Sequence, residues 1–283
     1  MLPDKNTPIE NAFEPVILKG PNGAVAKIHP YGAHLTSWCA ADGIERLFLS
    51  ERAELRQGAA IRGGVPIIFP QFADLGALPK HGLLRTACWQ QVNYFIGEAA
   101  SSVTFRWNED QYSKSIWPYS CNVEYTVEIS AESLSLTLSV ANTGGQDFSF
   151  TAALHTYLRV EDIQHVSVKG LQGLRYQDTA LGGTEYVESD SVLTVTGELD
   201  RIYFGSAQPL QVMQSKQRTL ECQAEGFLDT VIWNPGPTKS AALVDMEQEG
   251  YRRMLCVEAA IIDSPIVLRP NAQWIGRQLL KLR

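Results

Sequence analysis

The chain lacks the signatures by which the commonest enzyme classes announce themselves. It has no Gly-x-Ser-x-Gly elbow, no Walker loop, no Gly-x-Gly-x-x-Gly after an apolar run and no His-Glu-x-x-His. Serine hydrolases of the elbow type, P-loop enzymes, dinucleotide-binding enzymes and helical zinc proteases therefore lose their support. The five cysteines, Cys39, Cys88, Cys121, Cys222 and Cys256, are scattered and odd in number, and neither Cys-x-x-Cys nor His-x-x-x-His occurs. That spacing disfavours both a disulfide framework and a zinc site, and leaves most of the thiols as small core hydrophobes. No window approaches the roughly 18 uninterrupted apolar residues of a spanning helix, and residues 1–30 show no basic start followed by an apolar stretch. A soluble cytoplasmic protein is the expectation.

Positive charge is also scarce. Lys and Arg number 24 against 31 Asp and Glu, for a net charge of -7 and a pI near 5.3. A general nucleic-acid or anionic-membrane binder needs a surplus of the opposite sign on one face, so neither is expected as a partner. Long amphipathic helices are missing too, with Asp245 to Arg253 offering a turn or two. No period of 20 to 50 residues and no break in composition divides the 283 residues. One domain over residues 1–283 is the expectation, with residues 1–30 as an N-terminal extension or edge segment.

What the chain does have is alternation. Val123 to Ile129 and Leu134 to Val140 each place apolar side chains on one face and polar ones on the other, and the short polar Ser130 to Ser133 joins them as a hairpin. Phe148 to Leu154 follows as another strand. Further strand candidates are Ala24 to His29, His34 to Cys39, Ser102 to Trp107, Val166 to Val168, Ser191 to Val195, Leu210 to Gln214, Thr219 to Ala224, Thr230 to Trp233, Met254 to Ala259, Ile266 to Leu268 and Trp274 to Leu282. Gly, Pro and Asn punctuate them throughout. The fold class is all-β, a large antiparallel β-sandwich with two sheets packed face to face.

Against the acidic whole, one region gathers cations. Arg62-Gly-Gly-Val-Pro66 and Pro79-Lys-His-Gly-Leu-Leu-Arg85 set two arginines, a lysine and a histidine among residues that cannot continue a helix. Arg62 and Arg85 offer planar, bidentate donors for a phosphate or carboxylate, and Lys80 and His81 add point charge. Surface salt bridges are the plainer use of such residues. His155 ends an otherwise apolar strand, where an imidazole is either a core histidine satisfied by the backbone or a general acid or base. Glu258 interrupts the apolar run Met254 to Ala260, and a carboxylate inside a sheet is costly unless it is paired or used. Asp200 and Asp229 read as loop aspartates that cap or turn the backbone before they touch a ligand. Trp38, Trp117 and Trp233 are either core or flat faces for a sugar.

Taken together, Gly32-Ala-His-Leu-Thr-Ser-Trp38, Arg62-Gly-Gly-Val-Pro66, His81-Gly-Leu-Leu-Arg85, Leu154-His-Thr-Tyr157, Asp200-Arg-Ile-Tyr203, Trp233-Asn-Pro-Gly236 and Cys256-Val-Glu258 resemble the glucose-6-phosphate 1-epimerases, the hexose-6-phosphate mutarotase branch of the aldose 1-epimerase family. The resemblance runs from about Gly32 to the C-terminus. It implies a galactose-mutarotase-like supersandwich that interconverts the α and β anomers of an aldohexose 6-phosphate with no metal and no organic cofactor. It also implies catalytic roles for His155 and Glu258, and a sugar site lined by Arg62, His81, Arg85 and Asp200. Lys80 stands where relatives more often carry Gln or a small residue, and is kept as a substrate-binding candidate. A monomer whose partner is a small sugar phosphate is the expectation. Three alternatives accompany it: an epimerase of free aldoses, a non-catalytic sugar-binding sandwich, and a glycoside hydrolase using Asp200 with Glu258.

Overall fold

The computed structural model describes residues 12–206, 208–215 and 218–283. Among them, strands form three sheets in which all neighbouring strands pair antiparallel. The alternating segments build the nine-stranded sheet. Its centre is Gln273–Leu282, Ser133–Asn142, Cys121–Ile129 and Ser101–Asn108, in that order. The expected hairpin is there, with Ile129 opposite Leu134 and Cys121 opposite Asn142.

The eight-stranded sheet reads differently in sequence because its central strands are buried on both faces. Asp229–Asn234 is buried along its whole length, and Met254–Leu268 is buried from Met254 to Ile262. Such strands present continuous apolar runs rather than alternation. Leu199–Tyr203 and Phe148–Leu154 flank this pair on either side. A three-stranded sheet of Val16–Lys19, Val25–His29 and His34–Cys39 completes the β-structure, so residues from Val16 onward are part of the fold.

The main core lies between the large sheets. Val123, Tyr125, Val127, Leu136 and Leu138 from one meet Leu154, Val257, Ala259 and Ile261 from the other, joined by Ala26, Ile28 and Leu35 of the small sheet. A second apolar cluster, including Tyr157, Ile202, Val231, Trp233 and Cys256, covers the other face of the eight-stranded sheet. Helix is confined to short pieces such as Gln111–Ile116 and Gly236–Ala242, and Asp245 to Arg253 contributes the 3-10 turn Gly250–Arg253. No helix among the described residues is long and apolar enough to cross a membrane.

Two expected strands, Met254 to Ala259 and Ile266 to Leu268, are one. The register against Phe148–Leu154 shifts between Ile261 and Ile266, where the extra residues of a bulge leave backbone amides without a ladder partner. The Asp229 carboxylate takes up two of them, accepting the amides of Ile262 at 2.7 Å and Asp263 at 3.0 Å. This is a backbone-capping role for a buried aspartate, and it resolves one of the two aspartates left open by the sequence. Asp229→Ala strands both amides. It should lower the unfolding free energy in a denaturant titration by roughly 2 to 4 kcal/mol, whereas a loss below about 0.5 kcal/mol would show that the bulge satisfies itself.

Candidate functional site

Register alone assembles one face of the eight-stranded sheet. Asp200 lies opposite Trp233, Trp233 opposite Cys256, and Cys256 opposite Tyr157, so these four side chains project to the same side. Glu258, two residues beyond Cys256, joins them because side chains alternate along a strand. Asp200 is thus a strand residue, not the loop aspartate that its sequence neighbours suggested.

His155 follows directly on Leu154, which pairs with Ala259 beside Glu258. Its Nδ1 lies 3.2 Å from Oε1 of Glu258. The orientation is not that of a hydrogen bond. Both His155 Nδ1 and Glu258 Oε2 are buried without a hydrogen-bond partner among the described residues. Buried polar atoms are rarely left unpaired unless a site uses them. The backbone holding the pair is well fixed. In the core between the sheets, Gln278 accepts the Thr156 hydroxyl and donates to the Val257 carbonyl, tying together the residues next to His155 and Glu258.

Burial moves the two groups in opposite directions. The imidazole of His155 is held well below its ordinary pKa, first by desolvation and then by His81, Arg62 and Arg85. Glu258 is pushed well above the usual carboxylate range by desolvation, with Asp200 adding to it. Both shifts favour the uncharged form of the group concerned. A neutral imidazole with a protonated carboxyl carries the same number of protons as an imidazolium with a carboxylate.

The Arg62 to Pro66 segment is fastened to the His155 strand. The amide of Tyr157 donates to the carbonyl of Gly64 at 2.9 Å, and that of His155 to Pro66 at 3.0 Å. Gly64, with φ +62°, is needed here, because a Cβ would collide with the Leu35 carbonyl and the His34 ring. His34 is itself a core histidine, its Nε2 donating to the Gly63 carbonyl at 2.8 Å and its Nδ1 buried with no hydrogen-bond partner among the described residues.

Arg62 is already committed. It donates to Asp245 through Nε at 3.2 Å and to the Tyr157 hydroxyl through Nη1 at 3.0 Å. Burial works against its charge, but Tyr157 and Asp245 more than offset this. The Tyr157 ring in turn stacks on His155, with centroids 4.8 Å apart and planes 10° from parallel. Asp245, Arg62 and Tyr157 form a chain that braces the imidazole.

Arg85 differs. Its Nη2 donates to the Lys80 carbonyl, and no carboxylate pairs with it among the described residues. Burial and the neighbouring Arg62 both press against its charge. It is the cation of this region left without an anion. Lys80 points outward and pairs loosely with Asp74 at 3.5 Å.

His81 does not supply the expected positive charge. Burial, then Arg85, Lys80 and Arg62, lower its pKa to about 3. Its Nδ1 accepts the Ala73 amide at 3.3 Å, which leaves Nε2–H as a donor, and its ring meets that of His155 edge-on at 5.7 Å. Asp200, half-buried, is raised by desolvation against the pull of the Lys239 ammonium 3.6 Å away.

The structure thus brings together His155, Glu258, Arg62, Arg85, His81 and Asp200, and leaves Lys80 at the rim. Trp233, edge-on to both His155 and Tyr157, lines the site, whereas Trp38 is fully buried and Trp117 belongs to an aromatic cluster with Phe69, Tyr119 and Phe148. Neither Tyr157 nor Asp245 was read as a site residue in the sequence. Tyr157 was within reach, standing two residues from His155 on extended chain, but nothing near Asp245 points to Arg62. A separate cavity of about 410 Å³ is edged by Arg46, Arg253 and Arg283. These three arginines are paired with Asp42, Glu247 and Glu221.

Comparison with known proteins gives one family. The model of the aldose 1-epimerase family matches residues 15–281. A protein of Cenchrus ciliaris described as "Putative glucose-6-phosphate 1-epimerase" is 35% identical over 279 residues, covering 94% of this chain and 84% of its own length. One of Escherichia coli K12 with the same description is 34% identical over 233 residues, covering 81% and 77%. Among solved structures, a "putative mutarotase" from Salmonella typhimurium superimposes with a TM-score of 0.88 at 28% identity, covering 95% of this chain and 90% of that one.

Proposed function

We propose, from the premise that this chain belongs to the aldose 1-epimerase family, that it interconverts the α and β anomers of glucose 6-phosphate or a closely related hexose 6-phosphate. The observation that carries the reading is the buried His155–Glu258 pair, 3.2 Å apart, near an arginine with no carboxylate partner among the described residues.

Mutarotation opens a hemiacetal, turns the aldehyde about the C1–C2 bond and recloses it on the other face. It needs one base and one acid at neighbouring oxygens. Transfer of a proton from Glu258 to His155 yields both. The Glu258 carboxylate removes the proton of the C1 hydroxyl as the His155 imidazolium protonates the ring oxygen, and the C1–O5 bond breaks to leave the open-chain aldehyde. Reclosure from the opposite face reverses the two transfers and returns the proton to the pair. No electrons or groups leave the sugar.

His81, neutral and donating through Nε2, suits a lone pair of a sugar oxygen near His155. Asp200 suits ring hydroxyls. Arg85 suits the 6-phosphate, with the remaining donors of Arg62 beside it. The phosphate also has an electrostatic consequence. A dianion next to Arg62 and Arg85 offsets two of the charges that hold His155 neutral, so the substrate itself favours the imidazolium that opens the ring.

The test is anomer exchange followed by NMR or polarimetry with glucose 6-phosphate and glucose side by side. Exchange well above the spontaneous rate for the phosphorylated sugar, at a kcat/KM at least tenfold above that for glucose, is expected. Equal rates on the two sugars would make it an epimerase of free aldoses. Binding without exchange would make it a sugar-binding module.

A further inference from the structure

We infer that His155, Cys256 and Glu258 form a three-donor site for a thiophilic divalent cation, Zn²⁺ or Cd²⁺, whose binding captures the acid–base pair and arrests the enzyme. The ring nitrogen, the thiol sulfur and a carboxylate oxygen of these residues all lie within 4.8 Å of one another. In a tetrahedral zinc site with bonds of about 2.0 to 2.3 Å, adjacent donors stand roughly 3.3 to 3.6 Å apart. The His155–Glu258 separation of 3.2 Å already has that spacing, and the sulfur, within 4.8 Å of both, closes with a movement of at most about 1.5 Å.

Two further observations point to a ligand. Glu258, 1% exposed, has an oxygen with no hydrogen-bond partner among the described residues, as does the facing nitrogen of His155. Cys256 has no role in ring opening, yet strand alternation sets it on the same side as Glu258, and its register partners Trp233 and Tyr157 both pack against the His155 ring. The donor set of one imidazole, one thiolate and one carboxylate suits a borderline-soft ion. Coordination puts the metal in place of the thiol and carboxyl protons: one dication enters, two protons leave, and the buried site stays electroneutral. Three protein donors leave the fourth position to water, as in an open zinc site. The neighbouring Arg62 and Arg85 oppose a dication, so the ion is an exchangeable inhibitor and not a structural metal.

Binding and inhibition are tested separately, because only the second rests on the proposed function. Titration of Cys88→Ser protein with Cd²⁺, with the exposed thiol removed, should give an ultraviolet thiolate-to-cadmium charge-transfer band that saturates near one equivalent. The band should be lost in Cys88→Ser/Cys256→Ser. In the exchange assay Zn²⁺ should inhibit in competition with sugar phosphate and be reversed by a chelator. Cys256→Ser and Cys256→Ala should each raise the inhibition constant by at least about 10-fold, since loss of even an outer-shell partner costs 10- to 100-fold in metal affinity. A cadmium band that persists without Cys256, or zinc inhibition equal in wild type and both Cys256 variants, overturns the site. A chain with no exchange activity that still shows the Cys256-dependent band refutes the proposed function and leaves the metal site standing.

Discussion

Replacing His155 with Asn, or Glu258 with Gln, should reduce kcat for anomer exchange by roughly 10²- to 10⁴-fold while leaving the thermal unfolding transition within a few degrees of wild type. Each substitution keeps the shape of the side chain and removes its capacity to carry the proton. The effect should fall on kcat more than on KM, because the proton transfers are made only on the way to the transition state. Combining the two should cost little more than either alone, since acid and base act as a unit and half of it cannot work. If either single variant retained kcat within threefold of wild type, the acid–base assignment would be wrong. Glu258→Gln carries a further consequence. Its removal takes a raised carboxyl out of an apolar face, so the variant should be at least as stable as the parent, which separates loss of chemistry from loss of fold.

Most of the nine-stranded sheet was legible because one face of each central strand is buried and the other is not. Val123 to Ile129 and Leu134 to Val140 sit within Cys121–Ile129 and Ser133–Asn142, differing only at their ends. Leu199–Tyr203 was not read as a strand, since Asp200 and Arg201 break its apolar run, and each is held by tertiary contacts: Arg201 is paired with Asp178 and Glu188. Gln90–Ile96 was missed because all seven of its residues are exposed, leaving no periodicity to read. The candidate site shows the same division. His155 and Glu258 stood out as polar interruptions of apolar strands, a local signal. Whether Arg62 and Arg85 were equivalent was not local. Their difference rests on Asp245, 183 positions from Arg62 in the chain.

That difference makes Arg85 the sharper test of substrate choice. Arg85→Leu should raise KM for glucose 6-phosphate by about 10- to 100-fold, the loss of charge-assisted hydrogen bonds worth roughly 1.5 to 3 kcal/mol. Its kcat should change little. Arg85 meets the phosphate in ground state and transition state alike, and its removal also lifts one of the charges that disfavour the His155 imidazolium. For unphosphorylated glucose the wild-type site gains nothing from Arg85 and still bears its charge, so kcat/KM for glucose should stay level or rise. The ratio of the two specificity constants should therefore collapse toward unity. Arg62→Leu should behave otherwise. With Asp245 and the Tyr157 hydroxyl both deprived of their partner, the ring stacked on His155 loosens, and kcat should fall together with the rise in KM. Should the Arg85 variant keep its preference for the phosphorylated sugar, the 6-phosphate is held elsewhere, and the cations from Arg62 to Arg85 serve the sugar hydroxyls or the fold.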